Sequence, residues 1–412
     1  MENKELRKMC SKNFWGGMLT GLMVATLIVI GTLAVNKIVK IVRYQGMSVT
    51  EETSDDGSVI DNDVILKMKK IENVIDLYFY QEETDKELLV EDIYKGMMAS
   101  LGDPYSTYYS EEELTDLMEQ SEGIYYGIGA YVSLDTVTGY AKISGVIEYT
   151  PAQEADLRDG DIIYEVDGVS AYGMDLEEVV ALIKGEEGTM VHLTLVRDGE
   201  EDYVEKDVER RKIESPTVKY EMLEGQKGYI QITEFDDVTA DQFAEALAVL
   251  KEQGMKGMIL DLRSNPGGNL TTVVDIAGML LPEGLIVYTE DRYGNRDEYM
   301  CDGKREFGLP LVVLINGYSA SASEILAGAI QDYGIGTLIG TTTYGKGIVQ
   351  NIYSLNDGTS LKITSSEYFT PNGTNIHGVG VAPDVEIEYE YDEDNPEKDN
   401  QLEKAMEILK GK

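Results

Sequence analysis

Residues 311–350 read LVVLINGYSASASEILAGAIQDYGIGTLIGTTTYGKGIVQ. The apolar run LVVLI, closed by Asn316-Gly317, is too short for a helix and reads as a buried strand. SASASEILAGAI then opens a helix, because Ser321 and Glu324 have the three-residue spacing of a capping box. TLIG is a second short apolar strand, and GIVQNIYSL (347–355) and SLKITSSEYF (360–369) continue the strand reading. Upstream the same alternation appears: GYIQI (228–232), the amphipathic VTADQFAEALAVLKEQG (238–254), the buried strand GMILDLR (257–263), an NPGG turn (265–268) and a helix through Leu281. Strands alternating with helices predict a parallel sheet with crossover helices.

In such sheets reactive groups gather at the carboxyl ends of the strands. Taken singly, Ser321 fits a helix cap, Lys346 a solvated turn lysine, and NPGG a tight turn. Their occurrence in order on the crossovers of one α/β segment marks them as a candidate site. A serine hydroxyl is a weak nucleophile and needs a base within hydrogen-bond reach. The chain has only two histidines. His192 sits in VHLTLV, an ordinary alternating strand; His377 sits in the Gly-rich NIHGVGVAPD and is at most a site-lining residue. A lysine can serve as base if burial removes the penalty for being neutral. Moving its pKa from ~10.4 to ~7.5 requires roughly 4 kcal/mol of destabilisation of the ammonium, so Lys346 is expected to be buried. Gln350 is a candidate orienter, since an amide oxygen accepts from the amine without adding charge. Four residues of straight strand would put it ~13 Å from Lys346, so contact requires a bend at Gly345 or Gly347.

DLRSNPGG (261–268), SASASE (319–324) and GTTTYGKGIVQ (340–350), together with a PDZ-like segment, resemble the C-terminal processing peptidases, or tail-specific proteases. The resemblance covers roughly residues 65–385. It implies that Ser321 is the nucleophile, Lys346 the base and Gln350 its supporter. It also implies an oxyanion hole built from backbone N–H groups of Gly267, Gly268 and Ala322. A helix start at Ala322 agrees, since its first N–H groups and positive dipole end favour an anion. We assign a crotonase-like α/β serine peptidase core at 210–385. No metal or cofactor is expected.

Residues 122–209 resemble a PDZ domain: a loop YGIGA (Tyr126, Gly127, Ile128, Gly129, Ala130), the segment PAQEADLRDGDIIYEVDG, a helix near 176–184, and HLTLVRDG. In that fold the loop captures a peptide's terminal carboxylate while the peptide adds as a strand, which predicts protein or peptide partners with free, apolar C-termini. Arg158, in LRDGD, is by default a solvated turn charge; it is also a candidate to bridge this domain and the core in a regulated state.

The net charge of −41, from 35 basic and 76 acidic residues, argues against nucleic acid as a partner. Cys10 and Cys301 fall on opposite sides of a predicted membrane span, so no disulfide framework is available. That span, residues 14–35, has no charged residue and follows a polar N-terminus (1–13) read as cytoplasmic. No cleavage-site pattern ends it, so it reads as an uncleaved anchor with the catalytic part outside the cytoplasm. Residues 36–63 form a linker, acidic from Glu51; 64–121 have helical spacing and suit a pairing segment, which by resemblance implies a homodimer. Residues 386–412 read as an acidic appendage ending in a short amphipathic helix. The expected fold class is thus α+β and α/β multidomain. A catalytically silent PDZ adaptor that gathers membrane-proximal tails is the alternative function.

Overall fold

The computed structural model describes residues 59–80, 85–136, 138–395 and 398–410. The expected membrane span at 14–35 and most of the acidic linker lie outside them. Among the described residues no helix is long and apolar enough to cross a membrane. The chain divides into two compact units, Met1–Leu114 with Gln350–Thr364, and Thr115–Val349 with Ser365–Lys412.

In the first unit the helical spacing is realised as Asn62–Tyr78 and Lys86–Ala99. Asp61 and Asp85 cap them, accepting from the N–H groups of Val64 and of Glu87 and Leu88. The first helix buries no residue, and Ile65, Leu66, Ile71, Val74 and Leu77 are exposed along it. Helical spacing is interrupted at 101–110, which contains a short strand, Thr107–Tyr109, paired antiparallel with residues 360–362. Ser110 and Glu113 form the reciprocal cap that starts the helix Glu111–Glu122.

In the second unit, the strands Ala130–Asp135, Tyr140–Val146, Ile162–Val166, Met190–Val196 and Val204–Glu209 form one antiparallel sheet in that order, closed over by the helix Leu176–Ile183. Ala130–Asp135 is its edge. A ribbon of Ile124–Gly127 and Arg211–Glu214 carries the chain in and out, extending past the 122–209 boundary read from the sequence.

The core sheet runs Val218–Leu223, Lys227–Ile232, Gly257–Asp261, Leu311–Ile315, Gly336–Gly340, Val385–Glu386. All its pairs are parallel except the first. Alternation sorts its side chains: Met258, Leu260, Leu311, Val313 and Ile315 join the cluster under the helices Thr239–Glu252, Leu270–Ala277 and Ala322–Tyr333. Ile259, Val312, Leu314 and Ile339 face the other way, where Ala405 and Leu409 of the helix Asn400–Lys410 cover them. The C-terminal segment is therefore not an appendage. Central parallel strands are apolar on both faces and need a layer on each.

Candidate active site

The carboxyl ends of Gly257–Asp261 and Leu311–Ile315 lead into two turns, NPGG and GYSASAS, that lock together. Asn265 is fully buried; its side chain donates to Ile232 O at 2.9 Å and its carbonyl accepts from Ala320 N–H at 3.0 Å. The two outer serines of SASAS are anchors. Ser319 Oγ donates to Leu262 O at 2.8 Å and Ser323 Oγ to Asn265 O at 3.1 Å, and both serines are fully buried. Ser321, between them, is half-buried and so accessible to a substrate. Its backbone has φ 54° and ψ −114°, a sparsely populated conformation for a residue with a side chain. Strain of this kind persists only where the surroundings over-determine it.

Glu324 supplies that determination. The sequence marks it as a helix cap, and its carboxylate does accept from Ser321 N–H at 2.8 Å. It also accepts from Thr343 Oγ1 and Gly345 N–H, each at 2.6 Å, and from Lys346 N–H at 2.9 Å. This carboxylate, buried completely, thus fixes the backbone of Ser321 to that of Lys346. Tyr368 adds a second clamp from the strand Ser360–Phe369: its buried hydroxyl lies between the carbonyls of Ser321, at 3.1 Å, and Lys346. Burial, with Glu324 beside it, pushes the Tyr368 phenol well above its usual range, so it stays a donor. Neither role is visible in the sequence, where Tyr368 is one aromatic residue in a strand.

Lys346 is half-buried, less than the burial expected, and sits between the buried glycines Gly345 and Gly347. The chain bends at Gly345, φ +89°, and regular strand begins only at Ile348. A Cβ on Gly347 would lie 2.5 Å from His377 N, so the NIHG segment backs the lysine loop while the His377 side chain is exposed. Gln350 falls in the first unit, where its Nε2 donates to Thr364 Oγ1 at 3.3 Å.

Of the expected oxyanion donors, Gly267 differs from expectation: its N–H donates to Asn265 Oδ1 at 2.8 Å, an Asx turn. What it contributes is close approach. A Cβ there would stand 2.7 Å from Ser321 Cβ and 3.0 Å from Ala322 N. Gly268, φ +141°, is pressed against Phe235, whose carbonyl a Cβ would meet at 2.4 Å. Ala322 opens the helix Ala322–Tyr333, so its N–H has no intrahelical acceptor.

In the small antiparallel domain, Gly129, φ +84°, lies against Thr150, and Ala130 starts the edge strand. Arg158 pairs bidentately with Asp156 of its own loop, at 3.0 and 2.8 Å, and its side chain is exposed. Arg197 is the organising cation there, held to the buried Asp161 at 2.7 Å. His192 lies on the strand Met190–Val196 between Asp207 and Glu205, each at 2.8 Å, and the Asp207 bond raises its pKa. Among the described residues no group of side chains is arranged to hold a metal ion.

Residues 226–387 match Peptidase family S41, residues 142–197 match the PDZ domain, and residues 28–113 match the activating protease CtpB N-terminal domain. The carboxyl-terminal-processing protease of Synechocystis is 35% identical over 322 residues, 76% of this chain and 75% of that protein. The carboxy-terminal processing protease CtpA of Bacillus subtilis is 37% identical over 310 residues, 75% of this chain and 66% of that protein. Among solved structures, the photosystem II D1 C-terminal processing protease shares 29% identity over 80% of this chain and 94% of its own, with a TM-score of 0.47. The family matches and relatives define a serine-type peptidase with a PDZ domain. The chain belongs to peptidase family S41 and, within it, to the carboxyl-terminal processing proteases.

Proposed function

We propose that this protein is a membrane-anchored endopeptidase that cleaves protein substrates near their C-termini through an acyl-enzyme on Ser321. Lys346 is the base and Gln350 its orienting partner. One feature supports the reading above the rest: the Glu324 carboxylate binds the N–H groups of both Ser321 and Lys346, so the two segments move as one piece.

In this reading the neutral Lys346 amine takes the Ser321 hydroxyl proton as Oγ attacks the scissile carbonyl. The tetrahedral oxyanion is held by the N–H groups of Gly268 and Ala322. Lys346 then protonates the leaving amine, which departs as the new C-terminal fragment. Water, deprotonated by the same lysine, releases the acyl group and restores the serine. A bound substrate covers the half-exposed lysine and completes the desolvation that favours its neutral form.

The PDZ domain binds the substrate's terminal carboxylate at 126–130 and its strand along the free edge Ala130–Asp135. Occupancy gates activity, with Arg158 exchanging its partner Asp156 for the core in one state. The exposed apolar residues of Asn62–Tyr78 support a homodimer, and residues 14–35 anchor the chain with the catalytic part outside the cytoplasm.

The test is product mapping by mass spectrometry on a protein with a free apolar C-terminus, using wild type and Ser321→Ala. Cleavage near the C-terminus by wild type alone is expected. Tight binding of the tail with no cleavage by either would make the protein an adaptor.

A further inference from the structure

We propose that Asn269 is a positioning residue that holds the oxyanion turn in register with the segment leading into the PDZ domain. The proposal rests on the oxyanion reading given above. Asn269 is the N-cap of the helix Leu270–Ala277, a position where an asparagine side chain ordinarily accepts from the helix's own N–H groups. Here it makes no such bond. Its Nδ2 instead donates to Ser121 O and to Asp237 Oδ1, each at 3.0 Å, and its Oδ1 accepts from Ser121 Oγ at 2.9 Å. The chain forgoes a capping bond to make three others.

Those three bonds join parts with different tasks. Ser121 lies one residue from the end of the helix Glu111–Glu122, three residues before the strand Ile124–Gly127 that ends in the carboxylate-binding loop. Asp237 N–H donates to the same Ser121 carbonyl at 3.1 Å, which closes a small ring of bonds. On the other side, Asn269 N–H donates to Phe235 O at 2.7 Å, and Phe235 N–H to Gly267 O at 2.9 Å. The turn carrying Gly267 and Gly268 is therefore gripped between Ser321 in front and the 235–237 loop behind. Asn269 ties that grip to Ser121.

A shift of the PDZ-leading segment at Ser121 has a direct route to the Gly268 N–H. An oxyanion donor acts only where the developing charge will be, so a displacement well below 1 Å affects the transition state more than substrate binding.

The experiment compares wild type, Asn269→Ala, Ser121→Ala, the double variant and Gly267→Ala by kcat, KM and inhibition by a peptide aldehyde, whose hemiacetal oxygen occupies the oxyanion site. Concentrations are normalised by active-site titration. Asn269→Ala should lower kcat by roughly tenfold to a hundredfold and weaken the aldehyde in proportion, with KM within about threefold. The double variant should be no worse than Asn269→Ala, since Ser121→Ala removes one of the three bonds that Asn269→Ala already removes. A helix cap alone would lower Tm without splitting kcat from KM. Unchanged kcat and aldehyde affinity in Asn269→Ala, with Gly267→Ala inactive, overturn the positioning role alone. Full activity in Gly267→Ala overturns the oxyanion reading beneath it. If Asn269→Ala does not fold, Asn269→Asp, which keeps an acceptor for Ser121 Oγ and loses both Nδ2 donations, decides the matter by the same two readouts.

Discussion

Three serines stand in SASAS, and burial separates them. Ser319 and Ser323 spend their hydroxyls on the carbonyls of Leu262 and Asn265, leaving Ser321 accessible on a strained backbone. The sequence reaches Ser321 through its likeness to a family motif; the hydrogen bonds of its neighbours give an independent reason. Lys346 stands out by chemistry in a chain with only two histidines; His192 lies between Asp207 and Glu205, and the His377 side chain is exposed. Its half-burial is a lesson in what periodicity cannot show, because exposure of a turn residue depends on loops distant in sequence, here 376–380. Lys346→Arg should be as inactive as Lys346→Ala, since a guanidinium cannot accept the proton. Turnover within tenfold of wild type in the Arg variant, measured on a peptide reporter, would show that Lys346 supplies charge instead of basicity.

At the scale of elements, the strands and crossover helices were legible because their apolar spacing is regular. The clamps between them were not. Glu324 is readable as a cap from its spacing to Ser321, yet three of its four donors come from the lysine loop some twenty residues on. Glu324→Gln keeps the shape but replaces one acceptor oxygen by a donor. It should cost about 2–4 kcal/mol in urea unfolding and nearly all activity, because buried donors lose their acceptor. Tyr368→Phe should cost only about 1 kcal/mol while lowering kcat several-fold, as the carbonyls of Ser321 and Lys346 lose a shared donor. Equal stability and activity in both variants would mean that the clamps are incidental. The place of the helix Asn400–Lys410 is hidden in the sequence for a related reason: its acidic flanks dominate the composition, whereas Ala405 and Leu409 decide where it packs. Arg263, of the DLR motif, secures that segment through Asp399 at 2.8 Å and Gln401 at 2.9 Å.

At the scale of the whole molecule, the segment leading into the PDZ domain meets the peptidase core around Ser121–Gly123 and the 235–238 loop, and this junction carries a titrating group. Burial, reinforced by Glu234 and Asp237, pushes the Asp236 carboxyl up to about 7. A raised carboxyl pKa means the folded state binds the extra proton. Its stabilising effect is complete below the unfolded value of 3.8 and is lost as pH rises through about 7. The start of the helix Thr239–Glu252 favours the anion and limits the size of the effect. The gap between the stabilities of Asp236→Asn and wild type, read from urea midpoints, should therefore widen in the variant's favour from pH 4 to pH 8. A constant gap would mean that Asp236 is ionised throughout. For the PDZ domain as a gate, a separate peptide with a free apolar C-terminus should raise turnover of a reporter substrate, and its amide should not. A tenfold rise needs only ~1.4 kcal/mol of differential affinity between two states. Equal rates with both peptides, with binding verified, would reduce the domain to a tether.

Whether Ser321 is the nucleophile is measured most directly by covalent labelling. A fluorophosphonate probe should modify wild type at Ser321 alone, mapped by tandem mass spectrometry. The adduct should vanish in Ser321→Ala and form far more slowly in Lys346→Ala. An adduct on another serine, or a Ser321→Ala enzyme that cleaves peptide at the wild-type rate, would contradict that role.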